Sequence, residues 1–155
     1  INFIMNTIKH TNKKISIIAP FFNEEESLPI FLEEVSNIVE ELNEYNFEII
    51  FIDDGSNDNS LVFLKEKAKE NKNIIVLELS RNFGKEAALT AGIDIANGSA
   101  IIPIDVDLQD PPNLINKMIK QWESGSDVVL AKRENRLNEN ILKRISASFF
   151  YKIYS

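Results

Sequence analysis

Three aspartates, Asp105, Asp107 and Asp110, lie close together in the stretch Ile101-Ile102-Pro103-Ile104-Asp105-Val106-Asp107-Leu108-Gln109-Asp110-Pro111-Pro112. Ionised carboxylates packed this closely repel one another, so they either shift their pKa or gather a cation. A few carboxylates completed by substrate phosphates are the usual way of holding Mg²⁺ or Mn²⁺. The spacing therefore points to a metal-diphosphate site. An acidic turn that merely favours the start of a helix after Pro112 is the plainer alternative, because Asp near a helix N-terminus is stabilising in its own right. An isolated D-x-D does not separate the two; its surroundings do.

Those surroundings are strands alternating with amphipathic helices. An apolar run over 15–19, bounded by Pro20, predicts a first strand. The loop Phe21-Phe22-Asn23-Glu24-Glu25-Glu26 follows. Ser27 then serves as N-cap and Pro29 fits the first turn of a helix reaching about residue 43, with Leu28, Phe31, Leu32, Val35, Val39 and Leu42 at helical spacing. A second strand over 47–52 runs into Asp53-Asp54-Gly55-Ser56-Asn57-Asp58, and a helix follows over 60–70. A third strand over 74–79 leaves through Ser80-Arg81-Asn82-Phe83-Gly84-Lys85. The helix predicted over 85–96 carries Ala87, Ala88, Ala91 and Gly92 on its inner side, small enough to lie close to a sheet. A fourth strand runs to Ile104. The helix after Pro112 has Leu114, Ile115, Met118, Ile119 and Trp122 on one face, and a fifth strand over 127–131 exits onto Lys132-Arg133.

This order implies right-handed βαβ units and a mainly parallel sheet with helices on both faces, an α/β domain over 15–135. Ligands of such sheets sit beyond the carboxyl ends of the strands. Asn23-Glu24, Asp53-Asp54, Asp105-Val106-Asp107 and Lys132-Arg133 all fall on that edge. Neither G-x-G-x-x-G after the first strand nor G-x-x-x-x-G-K-[ST] occurs, which removes the standard dinucleotide and P-loop readings.

A chain of 155 residues, 44% apolar, is long enough to bury about two-thirds of its unfolded surface. A net charge of −7 without a basic stripe argues against a nucleic-acid partner. There is no Cys, hence no disulfide framework or Cys-based zinc site, and the lone His10 lies in a polar leader over 1–14. No apolar run approaches the length of about 18 residues that spans a membrane. The segment 136–155 places Ile141, Leu142, Ile145 and Phe149 at helical intervals among Lys143, Arg144 and Lys152. It reads as the start of an amphipathic or interfacial helix that stops without a cap, as in a chain cut short.

Taken together, Ala19-Pro20-Phe21-Phe22-Asn23-Glu24-Glu25, Asp53-Asp54-Gly55-Ser56, Ser80-Arg81-Asn82-Phe83-Gly84-Lys85-Glu86 and Asp105 to Pro112 resemble the inverting family 2 glycosyltransferases of GT-A fold. The last two stretches are similar to the polyprenyl-phosphate branch, that of dolichyl-phosphate mannose synthases and bactoprenol glucosyltransferases. The resemblance implies that Pro20, Phe22 and Glu24 border the base and ribose of a nucleotide diphosphate sugar, UDP- or GDP-linked, and that Asp53 or Asp54 accepts hydrogen bonds from the base. It assigns Asp105, Asp107 and Gln109 to Mg²⁺ or Mn²⁺, with Val106 between the two aspartates in place of the more frequent Ala or Gly. Arg133 matches the basic residue that meets the diphosphate, and Lys85 approaches the donor. The same resemblance implies a polyprenyl phosphate acceptor and a whole protein at the cytoplasmic side of a membrane surface.

In that chemistry the acceptor attacks the anomeric carbon opposite the leaving diphosphate, whose charge is met by the metal at Asp105 and Asp107 and by Arg133. A phosphate monoester is already largely ionised near neutral pH, its second pKa being about 6, and needs no strong base. A sugar hydroxyl would need one, and Asp110 is then the candidate. Two other classes compete: a phosphoacceptor receiver domain built on Asp53-Asp54, Asp105 and Lys132, and a non-catalytic sugar-nucleotide-binding remnant. The receiver leaves the strand and helix over 15–45 surplus and gives Leu108 to Pro112 no use.

Overall fold

The computed structural model describes residues 13–109 and 111–131. Its elements are β1 (Lys14–Phe21), α1 (Ser27–Glu41), β2 (Asn46–Asp53), α2 (Ser60–Glu70), β3 (Ile74–Glu78), α3 (Lys85–Ile95), β4 (Ala100–Pro103) and α4 (Leu114–Glu123). The four strands form one parallel sheet in the order β3-β2-β1-β4.

Alternation along the strands assigns the two faces. Ile15, Ile17, Ala19 and Phe21 of β1, with Phe47, Ile49 and Phe51 of β2, join the core made with α1, α2 and α4. Phe31 of α1 meets Phe51 edge-on, ring centroids 6.0 Å apart. On the other face Ile18, Ile50 and Ile52 pack with Ala88 of α3. Of the small residues expected on the inner side of α3, Ala88 and Gly92 are buried while Ala91 is half-buried and Ala87 exposed; a Cβ added to Gly92 would stand 2.6 Å from both Ile18 Cγ2 and Ile52 Cδ1. The chain thus steps outward from β1 to β2 and β3 along one face, then returns by α3 across the opposite face to set β4 beside β1. That reversal is a switch point, where the loops of β1 and β4 part and a crevice opens.

The structure departs from the sequence expectations in three places. β1 does not stop before Pro20 but runs through it to Phe21, in register with Ile52 and Asp53. The carbonyl of Ile18 accepts the Ile104 N–H, and that of Phe21 the Asp54 N–H. Residues 18 and 20 thus face β4 while 21 faces β2, and β4 has already diverged at 20, where the N–H that proline lacks has no ladder partner to lose. Ser27 is not the N-cap of α1; Glu26 holds that position, and the Ser27 hydroxyl donates to Glu24 Oε2 at 2.7 Å. The segment over 127–131 is not a strand. Val129, Leu130 and Ala131 line a groove beside β4, Val128 and Leu130 are largely exposed, and among the described residues the segment pairs with no ladder.

At the end of the sheet away from the crevice, buried Glu48 anchors α3's exit to β1. Its Oε1 accepts from Ser16 Oγ (2.6 Å) and the Asn97 N–H (2.7 Å), Lys14 pairs with Oε2, and Ser16 Oγ in turn accepts the Gly98 N–H at 2.8 Å. Burial pushes the Glu48 pKa up, but the hydrogen bonds from Lys14, Ser16 and Asn97 together outweigh it and hold the carboxyl below its ordinary 4.5. A depressed folded pKa contributes stability above the unfolded value that is lost as pH falls through the folded one. Glu48→Gln is therefore expected to destabilise by about 2–3 kcal/mol near neutral pH, and by progressively less below pH 4.5, as read by urea unfolding from pH 7 to 3.

Candidate functional site

Three loops at the carboxyl edge are tied to one another before any ligand arrives. Asn23, at φ 54°, donates its N–H to Ser56 Oγ (2.9 Å) and accepts the Asn57 N–H on its own Oδ1 (2.8 Å). The Glu24 N–H reaches Ser60 Oγ at 2.9 Å, and the Asn59 N–H reaches Glu25 Oε2 at 3.0 Å. Asp58 receives the N–H groups of Ser60 (3.0 Å) and Glu25 (3.2 Å). Burial works against its charge, yet the hydrogen bond with the Ser60 side chain, followed by the backbone amides, prevails and keeps its carboxyl below the usual range. These reciprocal bonds lock the β1–α1 loop onto the β2–α2 loop and leave Phe22 facing the crevice.

The β2–α2 loop is fastened in turn to the β3–α3 loop. Asp54, 4% exposed, accepts the Phe83 N–H at 2.7 Å on one oxygen and the Gly84 N–H at 2.9 Å on the other. Gly55, at φ +78°, lets the two backbones touch: a Cβ there would lie 2.6 Å from Arg81 C and 2.7 Å from Asn82 N. Asp53 is almost wholly buried, with Oδ1 taken by the Ser56 N–H at 2.9 Å. Of the two aspartates offered for the base, only Asp54 lines the crevice.

The fourth wall comes from β4. Val106 is 3% exposed and rooted in the core, which turns Asp105 and Asp107 outward on either side of it. Asp107 Oδ1 accepts the Gln109 N–H at 3.1 Å, and Leu108 between them adopts φ 58°, a conformation non-glycine residues rarely take. Asp105 Oδ2 pairs with Lys85 Nζ at 2.6 Å. The resulting cleft, about 270 Å³, is lined by Pro20, Phe22, Glu24, Asp54, Lys85, Asp105, Val106 and Asp107, all of them residues expected at the site. Gln109 and Asp53 do not line it; Asp110, Lys132 and Arg133 lie outside the described residues, as do His10 and the segments 1–12 and 134–155.

Asn82 and Gly84 also line the cleft and were not among the expected site residues. The signal was present in the rule itself: β3 ends at the same edge as β1, β2 and β4, so its loop belongs to the rim. Among the described residues, four cleft carboxylates (Glu24, Asp54, Asp105, Asp107) stand against the single ammonium of Lys85. Asp105 and Asp107 are hard oxygen donors of the class that suits Mg²⁺ or Mn²⁺, and Asp105 already carries a cationic group. Among the described residues no group of three or more His, Cys, Asp or Glu could hold a metal ion. The two carboxylates of Asp105 and Asp107 fit a metal whose remaining ligands are substrate phosphates. At the mouth Phe22 and Phe83 are 41% and 49% exposed, and the Arg81 guanidinium lies 4.6 Å from the Phe83 ring centroid.

The model of "Glycosyl transferase family 2" matches residues 16–154. A prophage bactoprenol glucosyl transferase homolog of Escherichia coli K12 is 49% identical over 92% of this chain and 46% of its own length. The undecaprenyl-phosphate 4-deoxy-4-formamido-L-arabinose transferase of Photorhabdus laumondii is 42% identical over 86% of this chain and 41% of its own. The chain thus spans about half the length of the curated relatives it matches. Among solved structures, glucosyl-3-phosphoglycerate synthase of Mycobacterium tuberculosis superposes with a TM-score of 0.60 at 22% identity, over 88% of this chain and 50% of that one. The mannosyltransferase PcManGT of Pyrobaculum calidifontis, solved with GDP-Man and Mn²⁺, gives 0.52 at 21% over 66% and 34%. These likenesses identify the sheet as that of a GT-A fold. With the matched family model over nearly the whole chain and the carboxylate-lined cleft at the switch point, the chain belongs to glycosyl transferase family 2.

Proposed function

We propose that the cleft binds a nucleotide diphosphate sugar, UDP- or GDP-linked, and that the whole protein transfers its hexosyl group with inversion to a polyprenyl phosphate at the cytoplasmic side of a membrane. The observation that carries the donor half is the charge of the cleft, four carboxylates to one ammonium among the described residues. Such a wall repels a diphosphate unless a divalent cation intervenes. The acceptor half is supported by relatives named for bactoprenol and undecaprenyl phosphate.

In this reading Asp54 accepts from an N–H of the base through the lone pairs its two loop amides leave free, with Pro20, Phe22 and Glu24 beside base and ribose. Asp105 and Asp107, with Gln109, hold Mg²⁺ or Mn²⁺. When bound, the metal supplies positive charge to the departing diphosphate. An acceptor phosphate oxygen attacks the anomeric carbon, the bond from that carbon to the diphosphate oxygen breaks, and the nucleoside diphosphate leaves with the electron pair. Arg133 is the residue proposed to meet that charge, and Asp110 is the base only if the acceptor is a sugar hydroxyl.

The test supplies the whole protein with radiolabelled UDP-glucose or GDP-mannose and undecaprenyl phosphate in detergent. Label is expected in the lipid fraction, with the anomeric configuration reversed. Label in an oligosaccharide with none in lipid would favour the hydroxyl-acceptor reading, and no transfer from any nucleotide sugar would contradict both.

A further inference from the structure

Lys85 is the first residue of α3, and its ammonium stands 2.6 Å from Asp105 Oδ2. Both partners are open to solvent, at 64% and 37% exposure, so burial does not force the pair; it forms because Asp105 is negative and Lys85 is the cation that lines the cleft with it. It also stands where a divalent ion shared with a diphosphate would need its carboxylate. Lys85 further lines the adjoining apolar hollow of about 230 Å³ with Leu89, Ile104 and Met118, where among the described residues Asp105 is the only acidic one. Among the described residues an ammonium displaced from Asp105 therefore meets apolar side chains on that side, and the cleft is where an anionic ligand would receive it.

We propose that Lys85 is the resident counter-ion of the site: it neutralises Asp105 while the cleft is empty and surrenders that carboxylate to the metal only when a diphosphate arrives to receive its ammonium. The inference rests on the donor-site reading above and adds an order to it, in which metal and nucleotide bind as a pair rather than metal first. By linkage the diphosphate strengthens metal binding and the metal strengthens diphosphate binding by the same factor, beyond their association in free solution, and part of that factor belongs to Lys85.

The test compares the protein with Lys85→Met and Lys85→Arg by Mn²⁺ titration, reading free Mn²⁺ by electron paramagnetic resonance, first alone and then with UDP or GDP. Lys85→Met is expected to bind Mn²⁺ alone about two- to fivefold more tightly, the size of an exposed ion pair. It is also expected to show a smaller nucleotide-induced gain than the unsubstituted protein, whereas Lys85→Arg, which keeps the charge, stays close to the parent in both. Unchanged or weaker Mn²⁺ binding in Lys85→Met, with the parent still binding Mn²⁺ and nucleotide together, would overturn the counter-ion role and leave the donor site standing. A parent that binds neither would overturn both.

Discussion

Asp107→Ala is expected to remove metal-dependent nucleotide binding and to lower sugar transfer by the whole protein by about 10²–10³-fold, the usual effect of deleting one preorganised group that meets charge developing in a transition state. The size follows from the cleft's charge. Asp105 is already engaged by Lys85, and among the described residues the cleft's other carboxylates are Glu24, held by Ser27, and Asp54, held by two loop amides. Asp107 alone of the four is exposed with only a neighbouring amide as partner. Removing it leaves the metal one carboxylate that it must share with a lysine. The fold does not depend on this side chain, so the unfolding midpoint is expected to stay within error of the parent while nucleotide binding in Mn²⁺, read by calorimetry, disappears. Asp127→Ala, a change of the same charge at an exposed position outside the cleft, is expected to alter neither.

Gly55→Ala is expected to be the most damaging small substitution for stability, about 2–4 kcal/mol. Two independent penalties meet there. Its φ of +78° is costly for any residue with a Cβ, and that Cβ would stand 2.6–2.7 Å from the backbone of Arg81 and Asn82, which cannot swing aside as a side-chain tip could. Relief requires the β3–α3 loop to move off the β2–α2 loop, which breaks the Phe83 and Gly84 bonds to Asp54. Stability and nucleotide affinity should therefore fall together, with faster amide hydrogen exchange at Phe83 and Gly84. Gly125→Ala is the control: it shares the positive φ, but a Cβ there meets nothing within 4 Å, so its cost is the backbone penalty alone.

The elements legible in the sequence were those whose signals are local. α2 begins and ends where turn formers and the helical apolar spacing place it, and the small residues of α3 announced a helix pressed on the sheet. The crevice was legible as well, because a parallel sheet gathers its strand exits at one edge and the acids were already there. What depended on a neighbour was not legible. Whether Pro20 ends β1 turns on where β4 diverges, and whether 127–131 forms a strand turns on finding a free edge to pair with. Asp53 and Asp54 are adjacent and chemically identical, and only the fold separates them, turning one into the Ser56 turn and the other onto the cleft. The receiver-domain reading ended on the family match, and Asp53, at the end of β2, is 1% exposed with one oxygen taken by the Ser56 N–H.

The most direct measurement is a crystal structure of the protein grown with Mn²⁺ and UDP-glucose or GDP-mannose, phased to show manganese by its anomalous scattering. One manganese peak is expected in the cleft, within about 2.2 Å of carboxylate oxygens of Asp105 or Asp107 and of the donor's phosphates, with the base against Asp54. A nucleotide bound away from the β1–β4 crevice, or seated in it with no manganese between those aspartates and the diphosphate, would contradict the account.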